Sequence, residues 1–376
     1  MADPSVAHVV SVMGGGIGRL LESVLPEQAR LRCAVTLYVR ECDDDLRARL
    51  GKAGVRVETI GSLVALAVAL RRSDVVHFHT LNLDLFLAGV VSGRPLVYTM
   101  HGLRATTRSP GTVSVRRLPT ARGLWRRVKR ELFVVFLRSR VRAVAAPSAY
   151  LAGVLSDLYR IPPRKLFVVP NGIPLTDFLA HGPREESSDL VVGFVGRLVA
   201  VKRVDLLLRA FSGIVGEWHG RELKLLIVGD GELRDELRTL ADQLGIAEQV
   251  TFVGQVSEPE TYLHDMDVFV LPSRNEGAPL AVMESLAAGV PVVAMRDGGG
   301  AAELVERSGG GVIAEDDRGL TSAVSDLLAD AGGRAALAER ARTYAAQELD
   351  VRVCARRYVE LYAGLPASSC HGTVAP

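Results

Sequence analysis

Short apolar runs alternate with amphipathic stretches along nearly the whole chain, and they do so in two successive sets. In the first half "HVVSVM", "AVTLYV", "VRVETI", "VVHFH", "LVYTMH" and "AVAAPS" read as strands, with helical patterns between most of them. In the second half "LVVGFVG", "KLLIVGD", "VTFVG", "VFVLPS", "PVVAM" and "GVIAE" repeat the arrangement. Strands this continuously apolar are buried on both faces, as in parallel sheets covered by helices. The pattern predicts two doubly wound, Rossmann-like α/β domains, and 376 residues suffice for two cores. The stretch "VVPNGIPLTDFLAHGPREESSD" lies between the sets and, rich in Pro, Gly, Ser and charge, reads as the connection. The expected division is a first domain over 1–172, a linker over 173–189 and a second domain over 190–349. Helical patterns over 334–347 and 351–364 follow, with 350–376 returning to the first domain as a helix before a frayed tail.

Two such domains joined by a linker leave a cleft, and open parallel sheets hold ligands outside the carboxyl ends of their strands. Motifs at those ends therefore matter most. "MGGGIGRLL", residues 13–21, follows the first strand. Its glycines, Gly15 and Gly16 among them, let the backbone approach a ligand where a helix N-terminus offers N–H groups to an anion. A dinucleotide fingerprint beginning at Gly14 needs glycine at position 19, which is Arg19. Glu41 nevertheless sits where a ribose-binding acid would, so an NAD(P) oxidoreductase competes, as does a tight turn without a ligand. "GFVGRLVAVKRVDLLL", residues 193–208, places Gly196, Arg197 and Lys202 after the first strand of the second domain. A guanidinium fork and an ammonium at a sheet edge suit a diphosphate, although such a pair alone is more often a solvated surface feature.

"RNEGAPLAVMESLAAG" carries Glu276 in a loop and Glu284 more than a turn inside an otherwise apolar helix, with Pro279 suited to its first turn. A carboxylate in apolar surroundings is costly unless paired or hydrogen-bonded, so Glu284 requires an arginine or a ligand. Glu276 either complements the helix dipole, worth ~0.3–1 kcal/mol, or meets a ligand. His101 ends a strand; a lone His there is more often structural than substrate-binding. His77 and His79 share a strand face, but no third ligand is evident and no metal is expected.

The combination is more specific than its parts. Gly-Arg-x4-Lys, then Glu-x7-Glu leading into "AAGVPVVA", then "GGAAELV" at 299–305, closely resembles the retaining glycosyltransferases of family 4. The resemblance is strongest over 190–305 and touches "GGGIG", "DVVHFH", "MHG", "APSAY" and "VPNGI" in the first half. It implies the GT-B architecture, two Rossmann-like doubly wound domains facing across a cleft, with no metal and no cofactor besides the nucleotide-sugar donor. By motif position, Arg197 and Lys202 would hold the donor diphosphate, Glu276 the sugar hydroxyls beside Gly277, and Glu284 the nucleotide ribose. Gly15 and Gly16 would approach the donor phosphates or the acceptor, Gly196 would admit the donor, and His101 would contact the transferred sugar. The family usually has a bulky residue after the glycine of the first Glu motif, where this chain has Ala278.

The implied function is transfer of a sugar from a UDP- or GDP-linked donor to a hydroxyl of an envelope lipid, a polysaccharide intermediate or a soluble metabolite. An epimerase of the same architecture, the oxidoreductase and an inactive scaffold are the competing readings. Net charge is +2, which gives no bias toward nucleic acid, but residues 104–142 hold twelve Arg or Lys and one acid, Glu131. Interleaved apolar residues there make the segment a candidate for contact with anionic lipid or a phosphorylated acceptor, against the plainer reading of a solvated arginine face. Cys33, Cys42, Cys354 and Cys370 form no metal or dithiol spacing and suit a reducing cytosol. No basic n-region precedes the first apolar stretch and no apolar run is long enough to span a bilayer. The expected location is cytoplasmic, with the inner face of the plasma membrane reached through the basic stretch.

Overall fold

In the computed structural model, which describes residues 4–80, 82–102, 131–179, 189–216, 218, 220–256 and 258–365, the apolar runs build two all-parallel sheets. The first sheet contains β1 (Ser5–Val12), β2 (Ala34–Glu41), β3 (Arg56–Thr59), β4 (Val75–Phe78), β5 (Leu96–Thr99), β6 (Val141–Ala146) and β7 (Leu166–Val168), in the order β3-β2-β1-β4-β5-β6-β7. The second contains β8 (Asp189–Val195), β9 (Glu222–Val228), β10 (Val250–Gly254), β11 (Val268–Leu271), β12 (Val292–Met295) and β13 (Gly311–Ala314), in the order β10-β9-β8-β11-β12-β13. Each sheet is doubly wound: the chain runs outward from its first strand, then returns to that strand's other side. β7 is the one strand not expected from the sequence. It is three residues long, exposed at Phe167 and Val168, and pairs only with β6, so it carries no buried apolar run.

The chain forms two compact units, Met1–Pro170 with Val351–Pro376, and Asn171–Asp350. Within the first unit, strand periodicity divides the sheet into two faces. Val6 and Val10 of β1 face one helical layer, whereas Ala7 and Val9 face the other. The first layer joins the helix Gly15–Arg30 to the chain's last helix, Val351–Ala363, which packs against it and buries Cys354, Ala355, Tyr358 and Tyr362. A five-residue π-helical segment, Ala345–Leu349, separates this helix from the preceding one, Ala331–Tyr344, so the second-last helix ends earlier than its pattern suggested. The second unit has a single core that includes Val192, Phe194, Ile227, Val270, Met283 and Val293.

Candidate active site

In the second sheet β8 is the strand at which the winding reverses, with β9 on one side and β11 on the other. The loops leaving the carboxyl ends of β8 and β11 therefore flank the crevice where such sheets bind ligands. The loop after β8 is pinned by Gly196 N donating to Val228 O at 2.9 Å and Leu198 N donating to Asp230 O at 2.9 Å. It then closes into a 3-10 turn over Ala200–Lys202. The loop after β11 is tied to this turn by Arg274 N donating to Val201 O at 3.3 Å. It is tied to the far side by Asn275 N donating to Asp297 O at 2.9 Å and Glu276 N donating to Gly298 O at 3.0 Å. Glu276 O in turn accepts from Gly300 N at 2.8 Å. This contact explains the glycine in "GGAAELV": a Cβ at Gly300 would stand 1.9 Å from Gly277 O.

Held in this way, the two loops bring Lys202 and Glu276 into contact. Lys202 Nζ donates to Glu276 Oε1 at 2.6 Å, with the side chains 14% and 17% exposed. The sequence presented these residues as separate ligand-binding charges; the fold pairs them. Arg197 is exposed and makes no ion pair among the described residues. Gly196 and Gly277 lie in the same two loops, and Gly196 leaves room for Phe194 of β8, whose Cζ would be 3.1 Å from an added Cβ. Pro279 is the N-cap of the helix Leu280–Ala288, one residue before its first turn. Glu276 thus precedes the cap and its carboxylate meets a lysine, which displaces the helix-dipole reading. Glu284 is the fifth residue of that helix and is 2% exposed, as its apolar neighbours imply.

On the first unit Gly14, without a side-chain cap, precedes the helix Gly15–Arg30, and Gly15 and Gly16 are exposed at its first turn. Gly15 has φ +58°, a conformation glycine adopts without penalty. His101 lies just beyond β5 and is partly buried, with Nε2 3.0 Å from His79 Nδ1. His79 Nε2 is 2.9 Å from His8 Nδ1, and His8 Nε2 is 2.9 Å from Gln28 Oε1. His77, opposite His8 in the register of β1 and β4, has Nδ1 2.7 Å from the Tyr362 hydroxyl and Nε2 2.7 Å from Thr99 Oγ1. Burial holds His8 down at about 3 and His101 at about 4. It also pulls His77 and His79 well below the usual imidazole range, helped by the neighbouring rings. Ring nitrogens of His8, His77 and His79 lie within 4.8 Å of one another, so His8 is the third donor the sequence did not reveal. Every one of their six ring nitrogens already has a hydrogen-bond partner in the protein.

Residues 179–344 match the family described as "Glycosyl transferases group 1", and residues 14–177 match "Glycosyltransferase Family 4". A GDP-mannose-dependent alpha-(1-6)-phosphatidylinositol monomannoside mannosyltransferase from Mycolicibacterium smegmatis is 31% identical, over 93% of this chain and 95% of that protein. The chain belongs to glycosyltransferase family 4. A D-inositol 3-phosphate glycosyltransferase from Salinispora arenicola shares 30% identity with this glycosyltransferase over 90% of the chain and 74% of the relative. HepE from Anabaena, solved with UDP and glucose, matches the fold with a TM-score of 0.76 at 20% identity, covering 96% of this chain and 100% of that one. A glycosyltransferase from Rickettsia africae matches with a TM-score of 0.77 at 16% identity, over 96% and 98%. The fold of the family 4 enzyme is thus GT-B, and neither the epimerase nor the oxidoreductase reading finds support in these matches.

Most of the basic stretch of this glycosyltransferase, residues 104–130, lies outside the described residues. Residues 131–139 of its last part are helical, burying Phe133 and Leu137 in the first unit's core and exposing Arg138, and Arg140 in the turn that follows is exposed as well. No described helix is long and apolar enough to cross a membrane.

Proposed function

We propose that this glycosyltransferase moves a sugar from a nucleotide-diphospho-sugar to an acceptor hydroxyl, with retention at the anomeric carbon and without a metal ion. The reaction breaks the bond from the anomeric carbon to the diphosphate oxygen, forms one to the acceptor oxygen, and releases nucleoside diphosphate and a proton. The observation that carries the reading is the Lys202–Glu276 contact at the reversal point of the second sheet. Before the donor binds, each side chain offsets the other's charge. When it binds, the diphosphate competes for Lys202 and the sugar hydroxyls offer Glu276 new donors. Lys202 and the exposed Arg197 then stabilise the negative charge that builds on the leaving diphosphate, the role a divalent cation fills in other transferases. Glu284 is assigned to the ribose hydroxyls, Gly196 and Gly277 to close backbone approach, Gly15 and Gly16 to phosphate or acceptor, and His101 to the transferred sugar.

The mycobacterial mannosyltransferase supports GDP-mannose as the first donor to test, while UDP-bound HepE keeps UDP-sugars in the panel. The mycobacterial and Salinispora relatives support an inositol-bearing acceptor, lipid-linked or free. A thermal-shift panel of GDP-, UDP- and ADP-sugars is expected to give several degrees of stabilisation with one nucleotide. Transfer with that donor should persist in chelator and vanish in Glu276→Ala while the far-UV spectrum is retained. Full activity in Glu276→Ala overturns the assignment.

A further inference from the structure

The hydrogen bonds inside the first unit have a direction, and one residue sets it. A glutamine amide has two unlike ends: Oε1 only accepts and Nε2 only donates. Gln28 is fully buried on the helix Gly15–Arg30, and its Oε1 faces His8 Nε2 at 2.9 Å. That nitrogen must therefore carry the hydrogen, which leaves His8 Nδ1 as an acceptor. His79 Nε2, 2.9 Å away, must then donate to it, and His79 Nδ1 becomes an acceptor in turn. His101 Nε2, 3.0 Å from His79 Nδ1, must donate likewise. The argument holds because all the rings are neutral near neutral pH, with one donor and one acceptor each.

The other end of the same amide runs a second branch. Gln28 Nε2 donates to the Tyr362 hydroxyl at 3.5 Å, and that hydroxyl donates to His77 Nδ1 at 2.7 Å. His77 Nε2 then donates to Thr99 Oγ1 at 2.7 Å, and Thr99 shares a hydrogen bond with the Tyr358 hydroxyl at 3.1 Å. The two branches share this one amide, so its orientation sets the direction of both. A reversed amide would set an N–H of Gln28 against the His8 ring and invert the first branch.

We infer that Gln28 is a positioning residue: through His8 and His79 it fixes His101 as the Nε2–H tautomer and reserves His101 Nδ1 as a hydrogen-bond acceptor for a substrate hydroxyl. Among the described residues His101 Nδ1 has no partner, and the ring is the one member of the chain that is not fully buried. The ligand class is a polyol that donates an O–H, which rests on the assignment of His101 to the transferred sugar. A ring free to exchange tautomers would spend part of its time presenting Nδ1–H, a donor, to that hydroxyl.

The test is long-range ¹H–¹⁵N correlation on the full-length protein labelled with ¹⁵N-histidine, near neutral pH and without substrate. His8, His77, His79 and His101 are all expected to show the neutral Nε2–H pattern. Gln28→Met removes the acceptor while keeping an apolar side chain of similar length. His8, His79 and His101 should then move together toward Nδ1–H. With the matching donor, kcat should fall roughly three- to tenfold, the loss expected for one neutral hydrogen bond in the transition state. A space-filling role for Gln28 would leave all tautomers unchanged, and that result overturns the inference. If Gln28→Met does not fold, the unmodified protein still decides: Nδ1–H or imidazolium at His8, His79 or His101 refutes the chain. Stoichiometric zinc held by His8, His77 and His79 in the isolated protein refutes it too. Because the tautomers are read without substrate, absence of any transfer activity would sink the transferase mechanism and leave this result untouched.

Discussion

Mild acidification should weaken the first unit well before carboxylates titrate. His8, His77 and His79 are 0%, 0% and 4% exposed, and burial holds all three far below their ordinary value. In the unfolded chain each returns to about 6.5 and takes up a proton as the pH drops past that point. The folded value is the depressed one, so this stability is complete above about pH 6.5 and is lost as pH falls toward the folded values. Between about pH 7.5 and about pH 5.5 linkage gives roughly 1.4 kcal/mol for each histidine that stays neutral when folded. Three such residues give about 4 kcal/mol, a large share of the ~5–15 kcal/mol that stabilises an ordinary domain. His101, held at about 4, adds up to one more such increment. Urea unfolding followed by far-UV circular dichroism in small pH steps should show the first unit's midpoint falling steadily below about pH 6.5. A midpoint that stays flat to about pH 5.5 would refute the reasoning, as would imidazolium signals from these residues in the folded protein.

Two other outcomes are expected. Gly300→Ala puts a Cβ 1.9 Å from Gly277 O, and should lower stability by about 1–3 kcal/mol and reduce transfer by shifting the Glu276 loop; an unchanged Tm would contradict the close packing. Binding to anionic vesicles through residues 104–142 should be weak and should disappear as salt is raised, and no cosedimentation at low salt removes the lipid reading.

Twelve of the thirteen described strands are legible in the sequence, the central ones as apolar runs of the kind a doubly covered parallel sheet requires. β7 is not, since a short exposed edge strand buries nothing that would mark it. The chemistry-bearing residues were visible one at a time, but their partnerships were not. Lys202 and Glu276 are 74 residues apart and meet only because β8 and β11 are neighbours in the second sheet. His8 is one polar residue in an apolar strand, and the β1–β4 register sets it opposite His77. The links from His8 to Gln28 and from Gln28 to Tyr362 span 20 and 334 residues, and no local period connects them. A lone polar residue in a fully buried strand, such as His8 or His77, was the available signal that a partner existed.

The last helix sets an order of assembly. The first unit opens at the chain's start but takes Val351–Ala363 into its core, whereas the second unit is one uninterrupted segment, Asn171–Asp350. During vectorial synthesis the second unit can close as soon as it has left the ribosome, but the first must wait for Val351–Ala363. Until they arrive, His77 lacks the Tyr362 hydroxyl and Thr99 lacks that of Tyr358. A product truncated after Asp350 would lack the Tyr362 hydroxyl that meets His77 Nδ1 and Gln28 Nε2, and would uncover the apolar residues this helix packs against. The tyrosines of Val351–Ala363 therefore tie completion of the first unit to prior synthesis of the whole second unit.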